Sequence, residues 1–381
     1  MLSPTDSVIP DFHINQRNRL RISYQSERIK LMGSFQEIHL WAKSDKASTV
    51  GSINFYELFA EPRITDKLSI RIGRQGVLLD NGRIFSDAPW AQQGRSHEGV
   101  RIMHKIKNTY NDLFLLFTRP YSDNYDKAYS PVSSHQYKYM IIHHLKFKTG
   151  NYLSLITNNV VEFLEQQDLD NKYKRITTGG RIEWETNNVY VTLNGFYQFG
   201  KNAMQQRISA YYLQPELRVR NNKTTLRLGA EILSGNKSNG GRTITQNFDI
   251  SYGVAWKFMG NMNFFTRFPA DVGGKGLVNP YLFVIQQFHP KFSAKVDFHL
   301  FANQYQLETS NGEFLNKYLG FENDISFKYK PMKLLELNYG FSYLIAQKEM
   351  EELNKIINPD KISVWSYLMI SYTFQLLNHS K

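Results

Sequence analysis

The sequence predicts an all-β protein in which one antiparallel sheet forms a transmembrane β-barrel. Apolar and polar residues alternate with a period of two along most of the chain, as in strands that face two different environments. The alternating segments reach about ten or more residues, the length that a tilted strand needs to cross a bilayer. Short and long connections also alternate, which is typical of a barrel with tight turns at one rim and long loops at the other.

The chain of 381 residues is predicted to form a single domain, residues 1–381. Its longest apolar runs have five residues, as in "YLFVI" at Tyr281–Ile285, far short of the roughly 20 residues of a transmembrane helix. A membrane barrel needs no such run, because its lipid face uses only every second residue. The alternative is a large soluble β-sandwich or propeller, which accounts less well for the long strands and for their charged faces.

The two faces of the predicted strands differ in chemistry. In "KLLELNYGFSYLI" the residues of one parity, from Leu335 to Tyr343, are apolar or aromatic, and those of the other include Glu336 and Ser342. In "KFSAKVDFHLF" the apolar set alternates with a polar set that contains Asp297 and His299. The apolar face is predicted to meet lipid, and the polar face to line the barrel interior.

The segments number about 17, the first near residues 12–24. Single-chain bacterial barrels have an even number of strands. We therefore expect about 18 strands in the native protein, with one strand and a signal peptide before Met1. A miscounted strand within residues 235–275 is the alternative.

Catalytic and cofactor chemistry has little support. The chain has no cysteine, which excludes disulfides, thiolate metal sites and a cysteine nucleophile. No G-x-S-x-G, H-E-x-x-H or P-loop motif occurs. His143 and His144 are adjacent on a predicted strand, so they point to opposite faces and do not share a metal. The protein is predicted to be no enzyme, with no cofactor and no metal site.

The charge balance favours an anionic partner. Lys+Arg number 46 against 34 for Asp+Glu, a net charge of +12. Arg17, Arg19 and Arg21 share the polar parity of the first strand, and Arg71 lies opposite Ile70 and Ile72. Arg181, Arg218, Arg220 and Arg227 occupy similar positions. Interior guanidinium groups suit carboxylates, which accept paired hydrogen bonds. The alternative is internal ion pairing with acids such as Glu57, Glu183, Glu231, Glu322, Asp324 and Glu336. Nucleic-acid binding is not expected of long strands with an aromatic outer face.

One segment, "GRQGVLLDNGRIFSDAPWAQQGRSHEGVR" from Gly73 to Arg101, is dense in arginine, glutamine and glycine without a helical period. Its "GRQ", "DNGR" and "WAQQGRSHEGVRI" stretches, with the flanking "INQRNRLRISYQSERIKLMGSFQEIHLW", resemble the alginate-export family of outer-membrane β-barrels, including its Bacteroidetes-type members. The resemblance extends over about Ile14–Ile102. It implies an 18-stranded barrel with an arginine-rich pore for an acidic polysaccharide.

The resemblance also implies roles for residues of this segment. Arg74, Arg83, Arg95 and Arg101 are candidate pore contacts, expected to lie close together where the pore is narrowest. Gln75, Gln92 and Gln93 are candidate supporting donors, and Asp80 is expected to hold an arginine in place. With Trp90 as an anchor and turns at Gly82 and Gly94, the segment is predicted to fold into the interior as a constriction.

The predicted function is an outer-membrane channel, or porin, for anionic polysaccharide such as an alginate-like polyuronate, or for small anions. The alternative is a non-transporting barrel subunit that scaffolds an outer-membrane protein assembly. The predicted location is the bacterial outer membrane. The predicted partners are outer-membrane lipid, acidic polysaccharide or small anions, and other outer-membrane proteins, but no nucleic acid.

Overall fold

The computed structural model describes residues 12–41, 53–118, 137–150, 152–166, 171–237, 243–250, 252–253, 259–265, 267–309, 311–353 and 358–377. Eighteen strands form one sheet across these residues. They are β1 (Asn15–Gln25), β2 (Ile29–Leu40), β3 (Asn54–Thr65), β4 (Leu68–Gln75), β5 (His97–Ile106), β6 (Thr109–Phe117), β7 (Tyr137–Thr149), β8 (Leu153–Gln166), β9 (Asn171–Glu185), β10 (Val189–Lys201), β11 (Arg207–Asn221), β12 (Thr224–Leu233), β13 (Ile244–Thr245), β14 (Leu277–His289), β15 (Phe292–Asn303), β16 (Tyr318–Met332), β17 (Leu335–Ala346) and β18 (Ser363–Tyr372). The helices with described bounds are a 3₁₀ turn, Ala270–Val272, and a short α-helix, Glu349–Glu352.

The long strands form an antiparallel meander. Each strand from β1 to β12 pairs with the next, β12 pairs with β14, and the series continues to β18. The two-residue strand β13 pairs in parallel with the start of β11. In the described residues no pairing joins β1 to β18, and these two strands run in the same direction. The predicted all-β antiparallel architecture, with about 17 long strands in this chain, is confirmed.

The connections alternate as the sequence predicted. Two-residue or three-residue turns follow the odd-numbered strands from β1 to β11, for example residues 26–28 and 222–223. The connections at the other rim are mostly long, as in residues 76–96 between β4 and β5. Two of them are short, residues 167–170 and 202–206. Residues 119–136, within another long connection, lie outside the described residues.

The outer face of the sheet is apolar and exposed. Leu20, Leu58, Ile72, Leu228 and Tyr339 belong to a wide belt of exposed large hydrophobic side chains that recurs on nearly every long strand. The alternate residues point to the inner face and are buried, as in β11 and β17. A water-soluble protein rarely exposes so large an apolar surface, whereas a membrane barrel presents this band to lipid.

Two connections fill part of the interior. We call residues 76–96 the first inward segment and the described residues of 243–276 the second inward segment. Both place hydrophobic side chains in one buried cluster, including Phe85 and Phe265, together with inward residues of the wall such as Met140 and Tyr212. The alternative of an additional membrane strand within residues 235–275 is not seen: its described residues form only β13 and the inward segment.

The outward position of Leu228, which is 57% exposed in the middle of β12, gives a test of the lipid face. We expect Leu228→Arg to lower the free energy of unfolding by about 2–4 kcal/mol, because a guanidinium near the bilayer midplane is poorly solvated. Urea unfolding of the barrel in lipid vesicles, followed by tryptophan fluorescence, measures this change. Met204→Arg adds the same charge in the connection between β10 and β11 and should change the free energy by much less. Equal losses in the two variants would contradict a lipid-facing β12.

Candidate functional site

The first inward segment crosses the barrel interior. At one end it adjoins β3, where the Tyr56 hydroxyl donates to the carbonyl oxygen of Asp87 at 3.1 Å. At the other it reaches β8, where the Asn158 amide donates to the Asp80 carboxylate at 2.6 Å. These strands are far apart in the sheet, so the sheet curves around the segment.

Glycines allow this path. Gly82 and Gly94, the two predicted turning points, have φ values of +79° and +69°, which side-chain-bearing residues rarely adopt. At Gly94 an added Cβ would lie 2.4 Å from the Tyr56 ring. The segment therefore packs directly against β3 at this point.

Arg83 fixes the middle of the first inward segment to the wall. Its guanidinium pairs with Glu231 of β12, and both side chains are about 1% exposed or less. The Tyr212 ring lies 5.8 Å from the guanidinium carbon, and the Met259 sulfur of the second inward segment is 3.5 Å from Nη2. A buried guanidinium is tolerable only with such a partner. Arg83 is therefore a cross-link between the segment and the wall.

The Arg17–Arg19–Arg21 ladder of β1 faces the same segment. Arg17 donates to the carbonyl oxygens of Pro89 and Ala91 at 2.9 and 2.6 Å. Arg19 donates to the side chain of Gln36, which in turn donates to the carbonyl oxygen of Gln93 at 2.7 Å. The ladder thus lies on the interior side of β1, as its parity predicted.

Beside this ladder the interior holds a polar cavity of about 270 Å³. It opens between the first inward segment and the wall of β1–β4. The lining residues are Arg19, Arg21, Lys30, Met32, Tyr56, Glu57, Phe59, Arg71, Asp87 and Pro89. Four of them are cations and two are carboxylates. We call this space the basic cavity.

The carboxylates of the basic cavity do not neutralise all of its cations. Arg71 is held by Glu61 at 2.6 Å and stacks over the Phe59 ring. Arg21 is 3.8 Å from Glu57 and is largely exposed. Burial raises the pKa of Asp87 above its ordinary value. Arg19 stacks over the Tyr56 ring at 3.8 Å, with the neutral Gln36 as its hydrogen-bond acceptor. The cavity is therefore basic in net charge.

Arg74 is placed differently from its predicted role. It has the parity of Ile70 and Ile72, the outward residues of β4, and pairs with Glu98 at 2.5 Å. Glu98 is exposed, and Arg74 lies opposite the outward Leu58. The prediction that Arg74 contacts the pore is wrong, because its backbone position directs the side chain to the outer face.

The expected convergence of four arginines is also wrong. Arg74 points outward, and Arg83 pairs with β12. Arg101 faces inward but pairs with Asp112 of β6 at 2.5 Å and stacks on Phe114. Arg95 donates to the carbonyl oxygens of Tyr252 and Gly253 in the second inward segment. Each guanidinium has its own partner on a different element, which keeps these like charges apart, since like charges placed close together repel one another.

Arg95 joins the two inward segments. Burial lowers its pKa from the ordinary arginine value, and its acceptors are backbone carbonyls. Nearby, Phe85 stacks on Tyr252, and the backbone N–H of Ser86 donates to the Tyr252 carbonyl oxygen at 3.0 Å. The two segments therefore form one packed unit inside the barrel.

The remaining predicted site residues are Gln75, Gln92, Gln93 and Asp80, and their described contacts are with other groups of the barrel. Gln75 is fully buried, and its amide donates to the carbonyl oxygens of Gly73 and Gly99, both at 3.3 Å. Gln92 is half-buried, whereas Gln93 is exposed and accepts the Gln36 hydrogen bond through its backbone. Asp80 accepts from Asn158 rather than from an arginine, so its predicted role of holding an arginine is wrong.

Sequence reasoning missed several residues of the basic cavity. Lys30 and Met32 occupy the inward parity of β2, and Tyr56 and Phe59 come from β3. The alternation along β2 contains the signal for Lys30, because its neighbours Ile29 and Leu31 are apolar. No comparable signal marks Tyr56, because a register shift between Ser34 and Phe35 of β2 falls at its position in β3.

No protein-family model matches the chain, and no curated protein matches it. Among solved structures it resembles OccAB4 of Acinetobacter baumannii, with 12% identity and a TM-score of 0.65 over 97% of this chain and 93% of that one. It also resembles the outer membrane protein OpdK of Pseudomonas aeruginosa, with 12% identity and a TM-score of 0.63 over 96% and 94% of the two chains. A structure of OpdK with vanillate has 13% identity and a TM-score of 0.62 over 94% and 92%.

The chain therefore has the fold of the bacterial outer-membrane porin barrels. This agrees with the predicted β-barrel class. The matching structures named above are Occ and Opd proteins, so the narrower resemblance to the alginate-export family gains no support from them.

The Arg83–Glu231 pair gives a test of how the first inward segment is held. We expect Arg83→Gln and Glu231→Gln each to destabilise the folded barrel by about 3–5 kcal/mol, because each leaves one buried charge without its partner. The double variant Arg83→Met/Glu231→Leu should recover most of this loss, because it removes both charges together. Unfolding in urea measures the three free energies. A double variant as unstable as the two single variants combined would contradict a coupled pair.

Proposed function

We propose that the protein is a channel of the bacterial outer membrane through which small anionic molecules, carboxylates above all, pass along the basic cavity. The observation that carries the proposal is the placement of Arg19, Arg21, Lys30 and Arg71 around one interior space. The fold supports the membrane location, because the exposed apolar belt needs lipid. The porin fold of the matching structures supports a channel rather than an enzyme.

Small anions suit the cavity better than a polymer does. Its volume of about 270 Å³ lies near the lower end of the usual range for pockets that hold small molecules, about 300–1,000 Å³. The two inward segments occupy much of the remaining interior with apolar side chains. An alginate-like polyuronate would require a continuous basic path through this packed region. The acidic polysaccharide is therefore the less favoured substrate class.

The carboxylate class follows from the chemistry of the cations. A guanidinium donates two parallel hydrogen bonds to a carboxylate, which a simple halide cannot accept in the same way. Aromatic rings of Tyr56 and Phe59 line the same space and offer apolar area to an organic anion. OpdK, one of the proteins that share this fold, was solved with vanillate, which is an aromatic carboxylate. By analogy, an aromatic monocarboxylate is the first substrate class to test here.

Anion selectivity should depend on the β1 ladder. Replacing Arg17, Arg19 and Arg21 together by Ser should shift the reversal potential in a KCl gradient toward cation preference, because interior cations attract anions into a pore. The measurement is made on single channels in planar bilayers. Among single variants, Arg19→Ser should shift the potential and Arg74→Ser should not, since Arg74 lies on the outer face. Equal effects of Arg19→Ser and Arg74→Ser would place the ion path elsewhere.

A small aromatic carboxylate should reduce the chloride current through the open channel by occupying the basic cavity. The block should weaken several-fold between about 0.05 and 0.5 M KCl, because salt screens charges that are open to water. A neutral ester of the same acid is the matched control and should not block. Block by the ester at equal strength would show that charge is not recognised. Absence of any conductance in the folded barrel would favour the alternative, a non-transporting scaffold subunit.

A further inference from the structure

Away from the basic cavity, a cluster of buried acids lies under the second inward segment. Asp297 and His299 of β15 face Asp324 and Glu322 of β16, and the strand register places Asp297 opposite Asp324 and His299 opposite Glu322. All four side chains are at most 3% exposed. Ligand atoms of Asp297, His299 and Asp324 all lie within 4.8 Å of one another.

The second inward segment covers this cluster with its backbone. The N–H groups of Asn261 and Met262 donate to the carboxylates of Asp324 and Glu322 at 3.1 and 2.8 Å. At Gly260, with a φ of +74°, an added Cβ would lie 2.2 Å from a Glu322 oxygen. The backbone of the segment therefore contacts the carboxylates directly, and a side chain at position 260 would not fit between the segment and Glu322.

The described structure leaves the cluster short of positive charge. Three carboxylates share one cation, because Lys295 pairs with Asp297. One oxygen on each of Asp297, Glu322 and Asp324 has no hydrogen-bond partner among the described residues. Buried carboxylates that are close together repel one another unless a proton or a cation lies between them. These unpartnered oxygens therefore point to a missing positive group.

His299 is oriented as a ligand. Its Nδ1 is 3.2 Å from the side-chain oxygen of Asn279, so a neutral ring that donates from Nδ1 presents the lone pair of Nε2 on its other side. Nε2 is 3.9 Å from Oδ2 of Asp324. A lone pair that faces a carboxylate at this distance is repulsive unless a cation lies between them. Metal-binding histidines are commonly held in this way through their second nitrogen.

We propose that Asp297, His299 and Asp324 bind one divalent transition-metal ion between β15 and β16. One imidazole nitrogen with carboxylate oxygens suits Zn²⁺ and its neighbours, whereas Ca²⁺ prefers oxygen ligands alone. Bonds of about 2.1 Å require tetrahedral ligands about 3.4 Å apart, which small side-chain rotations achieve here. Glu322 is the adjacent carboxylate. The ion would hold the second inward segment against this wall through Asp324 and its bond to Asn261.

The test measures metal binding to the folded, detergent-solubilised protein after removal of metal with EDTA. Zn²⁺ titration should give one tight equivalent per chain, and Co²⁺ should give visible absorption bands of a nitrogen- and oxygen-ligated ion. His299→Gln and Asp324→Asn should each weaken Zn²⁺ binding about tenfold or more. His39→Gln is the matched control. His39 and Glu37 both lie on β2, away from β15 and β16, with Nδ1 of His39 2.5 Å from Oε1 of Glu37, and they offer an accidental surface site. It should leave the tight equivalent unchanged.

Several results would overturn the proposal. They are no tight Zn²⁺ equivalent in the unmodified protein, loss of binding in His39→Gln, or binding unchanged in either ligand variant. Binding of Ca²⁺ in preference to Zn²⁺ would exclude the imidazole as a ligand. Heat-modifiable migration on gels establishes that each variant is folded. If one ligand variant does not fold, the other variant and the Co²⁺ spectrum of the unmodified protein decide the question.

Discussion

The buried ion pair between Arg83 and Glu231 determines where the rest of the interior lies. It holds the middle of the first inward segment against β12, on the far side of the barrel from β1–β4. The segment's other contacts, from Arg17 and Gln36, then fix its edge beside β1 and β2. The basic cavity is the space left between that edge and the wall. Arg83 thus fixes the position of the proposed pathway without lining it.

Arginine has two distinct uses in this barrel. Arg83, Arg101 and Arg95 neutralise or bridge buried groups, and each contacts a different element. Arg17 and Arg19 of the β1 ladder, by contrast, donate to carbonyl and amide oxygens that carry no charge, whereas Arg21 lies 3.8 Å from the Glu57 carboxylate. A cation with neutral acceptors keeps its electrostatic attraction for an incoming anion, whereas a cation paired with an acid largely loses it. This difference distinguishes Arg17 and Arg19 of the β1 ladder from the acid-paired Arg83 and Arg101.

Much of the fold could be predicted from the sequence, because the period of two along each strand reflects lipid on one face and the barrel interior on the other. The inward parity of Arg17, Arg19, Arg21 and Arg71 follows from the same pattern. That pattern also places Arg74 on the outer face with Ile70 and Ile72, and the resemblance of the "GRQ" stretch to a known family led to the wrong role. The cluster of Asp297, His299 and Asp324 could not be predicted, since it depends on the register between β15 and β16 and on a long connection folding inward. Neither property is encoded in a local pattern.

The proposed path for anions runs between the first inward segment and the β1–β4 wall. The chain has no cysteine, so single introduced thiols can report on it. Lys30 lines the basic cavity, and its neighbour Leu31 is exposed on the outer face. Single-channel current is recorded for Lys30→Cys and Leu31→Cys while a bulky, water-soluble thiol reagent is added. The reagent should block the current of Lys30→Cys and leave that of Leu31→Cys unaffected. Unchanged current in Lys30→Cys after proven labelling would show that anions take another path.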